Sequence, residues 1–130
     1  MLKASGYDVI STDLVERGYG TPRVDFLMET KGLAPNIVTN PPFKNSSDFI
    51  RRSLQLSTGK VAMLMRLACL EGVERRKLFV GQPFARVHVF TKRLSMYRNG
   101  ESEGKAGGMI AMAWFVWEHG YEGKPTINWI

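Results

Sequence analysis

Apolar runs separated by proline- and glycine-containing stretches divide this chain into short strands and helices. Residues 36–39 suit a buried strand, which must end at Pro41 because proline has no backbone N–H to donate. Residues 60–67 form a nearly continuous apolar run, which is typical of a buried parallel strand. Between them, residues 45–57 carry capping side chains and then one apolar face, which predicts a helix. This strand–helix–strand order predicts a right-handed crossover in an α/β fold.

Further elements lie on both sides of this unit. In chain order they are a helical turn at 2–5, a short strand at 7–13, a short charged helix or loop at 71–79, a strand at 85–90, a long glycine-rich loop at 92–108 and a strand at 109–117. The loop at 92–108 is either a nucleic-acid contact or a plain connection. Ile127, Trp129 and Ile130 are expected to pin the C-terminal tail to the body.

Composition limits the possible classes of protein. The 130 residues, 44% of them hydrophobic, suit a single domain spanning 1–130 with a sizeable core. We expect no membrane partner, because no apolar run approaches the roughly 20 residues of a membrane span, and the start does not resemble a signal peptide. The single cysteine, Cys69, excludes an internal disulfide, suits a cytoplasmic location and is expected to be buried. Since no His/Cys cluster has ligand spacing, we expect no metal.

The charge balance bears on possible partners. Eighteen Lys and Arg residues against twelve Asp and Glu residues give a net charge of +6. A basic surface favours polyanions such as DNA or RNA. Basic residues scattered over an ordinary protein surface would give the same balance, so charge alone leaves both interpretations open.

The strand end at Asn40, Pro41, Pro42 and Phe43, called here the Asn-Pro-Pro-Phe motif, carries the most specific chemistry. Open α/β sheets bind ligands at the carboxyl ends of their strands. The Asn40 side chain and the backbone carbonyls of Asn40 and Pro41 offer acceptors, and neither proline can donate. Two acceptors on a planar amino group draw its nitrogen towards tetrahedral geometry and free its lone pair, while Phe43 stacks on the ring. A strand-ending turn without function is the alternative.

This motif resembles the Asn/Asp-Pro-Pro-aromatic signature of class I S-adenosylmethionine-dependent amino methyltransferases, and phage and prophage adenine methyltransferases are similar in the order of their elements. The resemblance implies a Rossmann-like sheet with an antiparallel C-terminal hairpin. It also implies that Asp13 holds the cofactor ribose, that Leu14 and Val15 cover the purine, and that Asp25 and Phe26 meet the adenine. The alternatives are that Asp13 caps a loop, Asp25 starts a short helix and Phe26 is a core residue.

The chain departs from the family pattern at its front. The family begins with a strand and a glycine-rich turn that holds the methionine part of the cofactor, and no such turn precedes Asp13. The absent strand would lie between the strand at 7–13 and the strand ending at Asn40, so the sheet is expected to be truncated at the N-terminus. Either these two strands pair directly, a second copy fills the gap as a homodimer, or the chain is a fragment of a longer product.

The resemblance therefore implies one of two functions. The first is methyl transfer from S-adenosylmethionine to an exocyclic amino group, with adenine N6 of a base flipped out of DNA as the expected target. The second is a non-catalytic remnant that serves as a structural or nucleic-acid-binding module. The sequence leaves open whether the amine belongs to DNA, RNA, protein or a small molecule.

Overall fold

The computed structural model describes residues 2–92, 94 and 110–130. The strands are β1 (Ile37–Thr39), β2 (Lys60–Arg66), β3 (Phe84–Val89), β4 (Met112–Glu118) and β5 (Thr126–Trp129). The α-helices are α1 (Ser46–Leu56) and α2 (Val73–Arg76). Single 3-10 turns cover Lys3–Ser5, Phe26–Met28, Phe43–Asn45 and Leu67–Leu70.

The fold is mixed α/β, built on one five-stranded mixed sheet in the order β1-β2-β4-β3-β5. The β1–β2 and β3–β5 pairs are parallel, and β4 is antiparallel to both of its neighbours, β2 and β3. Four strands therefore run in one direction, and β4 is reversed between β2 and β3. The expected crossover through α1 and the expected reversed pairing of the last two long strands are both present.

One face of the sheet forms the core, because alternate residues of its central strands point towards it. Met63 of β2 lies opposite Phe115 of β4, which lies opposite Val87 of β3, and all three side chains are at most 2% exposed. Ile50 of α1 belongs to the same buried cluster, as does Cys69. The prediction that Cys69 is a buried thiol is confirmed.

Aromatic rings fill the end of this core near the start of β3. Phe79 packs on Phe84 at 4.8 Å and on Trp117 at 5.9 Å between ring centroids. The buried indole N–H of Trp117 donates to the Leu78 carbonyl at 2.9 Å, so its polar atom is satisfied. These contacts hold the segment between α2 and β3 against the sheet.

The prediction of a strand at 7–13 is wrong. Among the described residues, those at 7–13 form no ladder, and an isolated bridge joins Thr12 to Thr21. The Thr21 N–H donates to the Ser11 carbonyl at 2.8 Å, and the Asp13 N–H donates to the Thr21 carbonyl at 3.0 Å. The segment thus pairs with a nearby loop and not with the sheet, so the possibility that it closes directly on β1 is also wrong.

The tail is held by its backbone and not by the side chains expected to pin it. The β5 strand runs parallel to β3, and the Ile130 N–H donates to the Val89 carbonyl at 2.9 Å. Ile127, Trp129 and Ile130 are each more than half exposed. An edge strand has a single neighbour, so apolar side chains there gain little cover. Most of the predicted loop at 92–108 lies outside the described residues, as does the start of the strand predicted at 109–117.

The entry to β1 is fastened to the end of the α1 crossover. The Pro35 carbonyl accepts hydrogen bonds from the N–H groups of Thr58 and Gly59, at 3.2 and 2.9 Å. Next to it, the Asn36 side-chain oxygen accepts one from the Lys60 N–H at 2.8 Å. A Cβ atom on Gly59 would lie 2.5 Å from that Asn36 oxygen, so only glycine fits at this crossing.

Gly59→Ala should therefore destabilise the chain by about 1–3 kcal/mol, the usual cost of overpacking. The measurement is the free energy of unfolding from urea titration. Asn36→Ala supplies the control, because it removes the oxygen that the new methyl group meets. The two losses should add to more than the loss in the double variant. Full additivity would contradict the close contact.

No helix in the described part of the chain is both long and apolar enough to cross a membrane.

Candidate functional site

The Asn-Pro-Pro-Phe motif leaves the sheet at the carboxyl end of β1. Because β1 and β2 are parallel, with Thr39 opposite Met63, β2 ends at Arg66 on the same side of the sheet as the motif, where the carboxyl ends of both strands lie. Pro41 is buried, whereas Asn40 and Phe43 are exposed. The loop is thus anchored through one proline and presents the residues on either side of it.

The backbone after the motif turns at once into α1. The Asn45 N–H donates to the Pro42 carbonyl at 3.0 Å, and the buried Ser46 hydroxyl donates to the Phe43 carbonyl at 3.1 Å. These bonds use the carbonyls of Pro42 and Phe43. Among the described residues none donates to the Pro41 carbonyl or to the Asn40 side chain. Two acceptors therefore remain available at the strand end.

A neighbouring arginine covers one face of the motif's aromatic ring. The Arg66 guanidinium carbon lies 4.6 Å from the centroid of the Phe43 ring, which is the geometry of a cation–π contact. Sequence reasoning missed Arg66. The signal available was its position, because it closes the apolar run of a parallel strand adjacent to the motif.

Asp13 lies in an irregular loop and already has partners. One carboxylate oxygen accepts the Val15 N–H at 2.9 Å, and the other lies 3.2 Å from Nε of Arg17. Leu14 beside it is 61% exposed. The interpretation of Asp13 as a loop cap describes its present contacts. Any ribose hydroxyl at this carboxylate would compete with Arg17.

Asp25 and Phe26 both serve a short turn. The Asp25 carboxylate accepts the Leu27 N–H at 3.0 Å and so caps the 3-10 turn Phe26–Met28. The Phe26 ring stacks on Phe49 of α1 at 5.2 Å with 18° between the ring planes. The second ring covers one face of Phe26, and this stack fixes the turn against the helix that follows the motif.

The structure therefore brings the predicted cofactor residues into one region. The Val24 N–H donates to the Asp13 carbonyl at 3.0 Å, so Asp13 lies next to the turn that carries Asp25. Phe26 in turn packs beside α1. Within the described ranges, no hydrogen bond or ring contact joins Asp13 or Leu14 to the Asn-Pro-Pro-Phe motif.

A large groove lies beside α2. It encloses about 1010 Å³ between the α2–β3 segment and the turn after β4, with Val73, Val80, Tyr121 and Lys124 among its lining residues. None of the residues predicted to form the site lines it. The described residues also contain no group of three His, Cys, Asp or Glu side chains placed to hold a metal ion.

In comparisons with known proteins, no family model and no curated protein matches the chain.

The stack between Phe26 and Phe49 is testable as the anchor of the N-terminal segment. Phe26→Leu should destabilise the chain, and a cycle with Phe49→Leu should give a coupling of about 0.5–1.5 kcal/mol, as for other aromatic pairs. The measurement is urea unfolding. Met28→Leu in the same turn serves as the control, since Met28 is 75% exposed and its change should cost little. A coupling near zero would show that the rings do not hold the segment.

Proposed function

We propose that this chain is a class I methyltransferase-like protein that acts on an exocyclic amino group, with adenine N6 in DNA as its target. The observation that carries the proposal is the pair of available acceptors, the Asn40 side chain and the Pro41 carbonyl, at the carboxyl end of a parallel strand. Ligands bind at such strand ends in open α/β sheets. The reversed β4 between β2 and β3 is compatible with the same family.

In this proposal the motif holds and activates the amine. The Asn40 amide oxygen and the Pro41 carbonyl accept its two hydrogens, and Phe43 contacts the ring. The developing positive charge on the nitrogen lies beside two fixed dipoles, which stabilise it without a charged base. Once methylated, the nitrogen is acidic and releases a proton to solvent. Buried Pro41 keeps the acceptors in place, because it limits the freedom of the loop.

The residues that would hold S-adenosylmethionine fit it only in part. When bound, the cofactor supplies an electrophilic methyl group on a sulfonium. Asp13 and Asp25 offer carboxylate oxygens for the hydroxyl and amino groups of its adenosine, and exposed Leu14 offers an apolar contact. Phe26 presents only the ring surface that Phe49 leaves open.

A second candidate is a nucleic-acid-binding module without catalysis. Its support is the contact between Asp13 and Arg17, which occupies the carboxylate that the cofactor requires. The net charge of +6 suits a polyanion in either case.

Calorimetric titration with S-adenosylmethionine and S-adenosylhomocysteine separates the two candidates. The methyltransferase proposal expects saturable binding that is lost in Asp13→Ala. Arg17→Ala is the matched variant, because it releases the same carboxylate from its ion pair. Its affinity should rise up to about fivefold, the equivalent of one exposed salt bridge. Absence of binding in the unaltered chain would leave only the second candidate.

Methyl transfer to adenine-containing DNA tests the motif itself. Asn40→Ala should lower the rate by about 10²–10³, the usual effect of removing one such stabilising dipole, with cofactor affinity unchanged. Asn40→Asp keeps the acceptor and should retain activity. Asn128→Ala is the control, since Asn128 lies on β5 at the far edge of the sheet. The readout is N6-methyladenine after nucleoside digestion, and an unaffected Asn40→Ala variant would contradict the assignment.

We also propose that a second copy of the chain covers the free edge of β1. This strand pairs only with β2 among the described residues, so its outer backbone groups lack sheet partners. Val38 on it is 51% exposed, and Ile10, Leu14 and Leu33 of the preceding segment are each more than half exposed. An unpaired strand edge favours association between chains, and exposed apolar side chains elsewhere on the surface add to that tendency.

Light scattering measures this assembly directly. The unaltered chain should have the mass of a dimer, and Val38→Lys should return it to a monomer, because a charged side chain on an edge strand opposes pairing. Val73→Lys is the control, since Val73 is 83% exposed and belongs to α2 and not to β1. A monomeric unaltered chain, or equal effects of both lysines, would contradict the proposal.

A further inference from the structure

Arg66 differs from four other arginines in the described part of the chain. Each of those has an oxygen acceptor: Arg51 has Asp48, Arg75 has the Ala68 carbonyl, Arg86 has Glu118 and Arg17 has Asp13. Arg66 is half-buried at the end of β2, and no described residue forms an ion pair or hydrogen bond with its side chain. Its Nε atom is shielded from solvent and lacks a partner.

This arrangement is costly for a charged side chain. A buried donor without an acceptor loses its hydration and gains nothing in return, and the loss is greater when the group is charged. The only compensation within the described residues is the Phe43 ring, whose centroid lies 4.6 Å from the guanidinium carbon. A cation–π contact stabilises the charge but supplies no acceptor for the Nε–H. The guanidinium is therefore held in position, and no described residue accepts a hydrogen bond from it.

An anion is the ligand that this group lacks. The guanidinium is planar and always charged, and its fork of donors matches the oxygens of a phosphate. Its location beside Phe43 places that capacity next to the aromatic ring to which the proposed function assigns the target base. A single nucleic-acid strand carries both groups, since each base is attached to a phosphate-linked backbone. Proteins that bind single strands combine these two contacts, a ring for the base and a cation for the backbone.

We infer that Arg66 binds a phosphate of the strand that carries the target base, and that the substrate is a polynucleotide and not a protein side chain or a small amine. The inference rests on the proposed function for the identity of the base at Phe43. The phosphate contact itself does not require methyl transfer. Arg66 and Phe43 form one unit in which the ring orients the guanidinium and the guanidinium fixes the strand.

Binding of a fluorescent single-stranded oligonucleotide with one adenine among pyrimidines tests this inference by anisotropy. No cofactor is added, so a chain that fails to bind S-adenosylmethionine still gives a result. Arg66→Ala should weaken binding about tenfold or more, as expected for a charge-assisted hydrogen-bonded pair. In a potassium chloride series the slope of log K against log salt should become shallower by about 0.7, the value for one phosphate contact on a single strand.

Two further variants separate this role from a structural one. Arg66→Lys keeps the charge but loses the fork, so its salt slope should stay near that of the unaltered chain while its affinity falls. Arg76→Ala removes an exposed arginine of α2 that lines the groove and does not contact Phe43, and it should leave both quantities unchanged. An oligonucleotide with uncharged methylphosphonates on both sides of the adenine should bind the unaltered chain more weakly than the unmodified oligonucleotide does. Arg66→Ala should bind the two oligonucleotides equally.

Several results would overturn the inference. They are absence of oligonucleotide binding by the unaltered chain, equal losses in Arg66→Ala and Arg76→Ala, and a loss in Arg66→Ala without a change in salt slope. A further one is loss of S-adenosylmethionine affinity in Arg66→Ala with oligonucleotide affinity intact, because the anion would then be the cofactor carboxylate. Loss of methyl transfer alone, with these binding results preserved, would remove the proposed chemistry and leave the phosphate site.

Discussion

The parallel pairing of β1 with β2 is the constraint on which the candidate site depends. It places the carboxyl ends of both strands, at Asn40 and at Arg66, on the same side of the sheet. The β1 strand is three residues long and pairs with β2 alone among the described strands, so its ladder contributes little by itself. Its position relies on the Pro35 carbonyl and the Asn36 side chain, which are bonded to the end of the α1 crossover. The rigidity of the site therefore depends on these hydrogen bonds and on the burial of Pro41.

The sequence predicts the fold well where burial and periodicity agree. The β2 strand was predictable from its nearly continuous apolar run, and α1 and β3 were predictable because their apolar residues recur at the period of a helix and of a strand. All three contribute to one core. The strand expected at 7–13 shows the limit of that reasoning. Alternation describes a strand only when a sheet edge is available, and these residues instead bond to the loop at Thr21. For the tail, an apolar pattern indicated buried side chains where backbone pairing is the actual attachment.

Of the candidate site, the Asn-Pro-Pro-Phe motif was predicted from the sequence and Arg66 was not. Two prolines after a strand fix where the Asn-Pro-Pro-Phe motif leaves the sheet, because proline cannot donate to a ladder. The position of Arg66 at the end of the β2 run could be read from the sequence, but its lack of an acceptor among the described residues could not. The partners of Asp13 were equally hidden. The local sequence around an acidic residue at the end of an apolar segment is the same whether its carboxylate contacts a ribose or an arginine.

The contact between Asp13 and Arg17 is a weaker obstacle to a ligand than its geometry suggests. The two side chains are 37% and 54% exposed, and ion pairs this open contribute about 0–1 kcal/mol. A ligand that offers two hydroxyls to Asp13 regains that amount with its first hydrogen bond. The stack of Phe26 on Phe49 is different, because it buries apolar surface and orients the whole turn. Access of any planar ligand to this region would therefore depend on the aromatic stack more than on the ion pair.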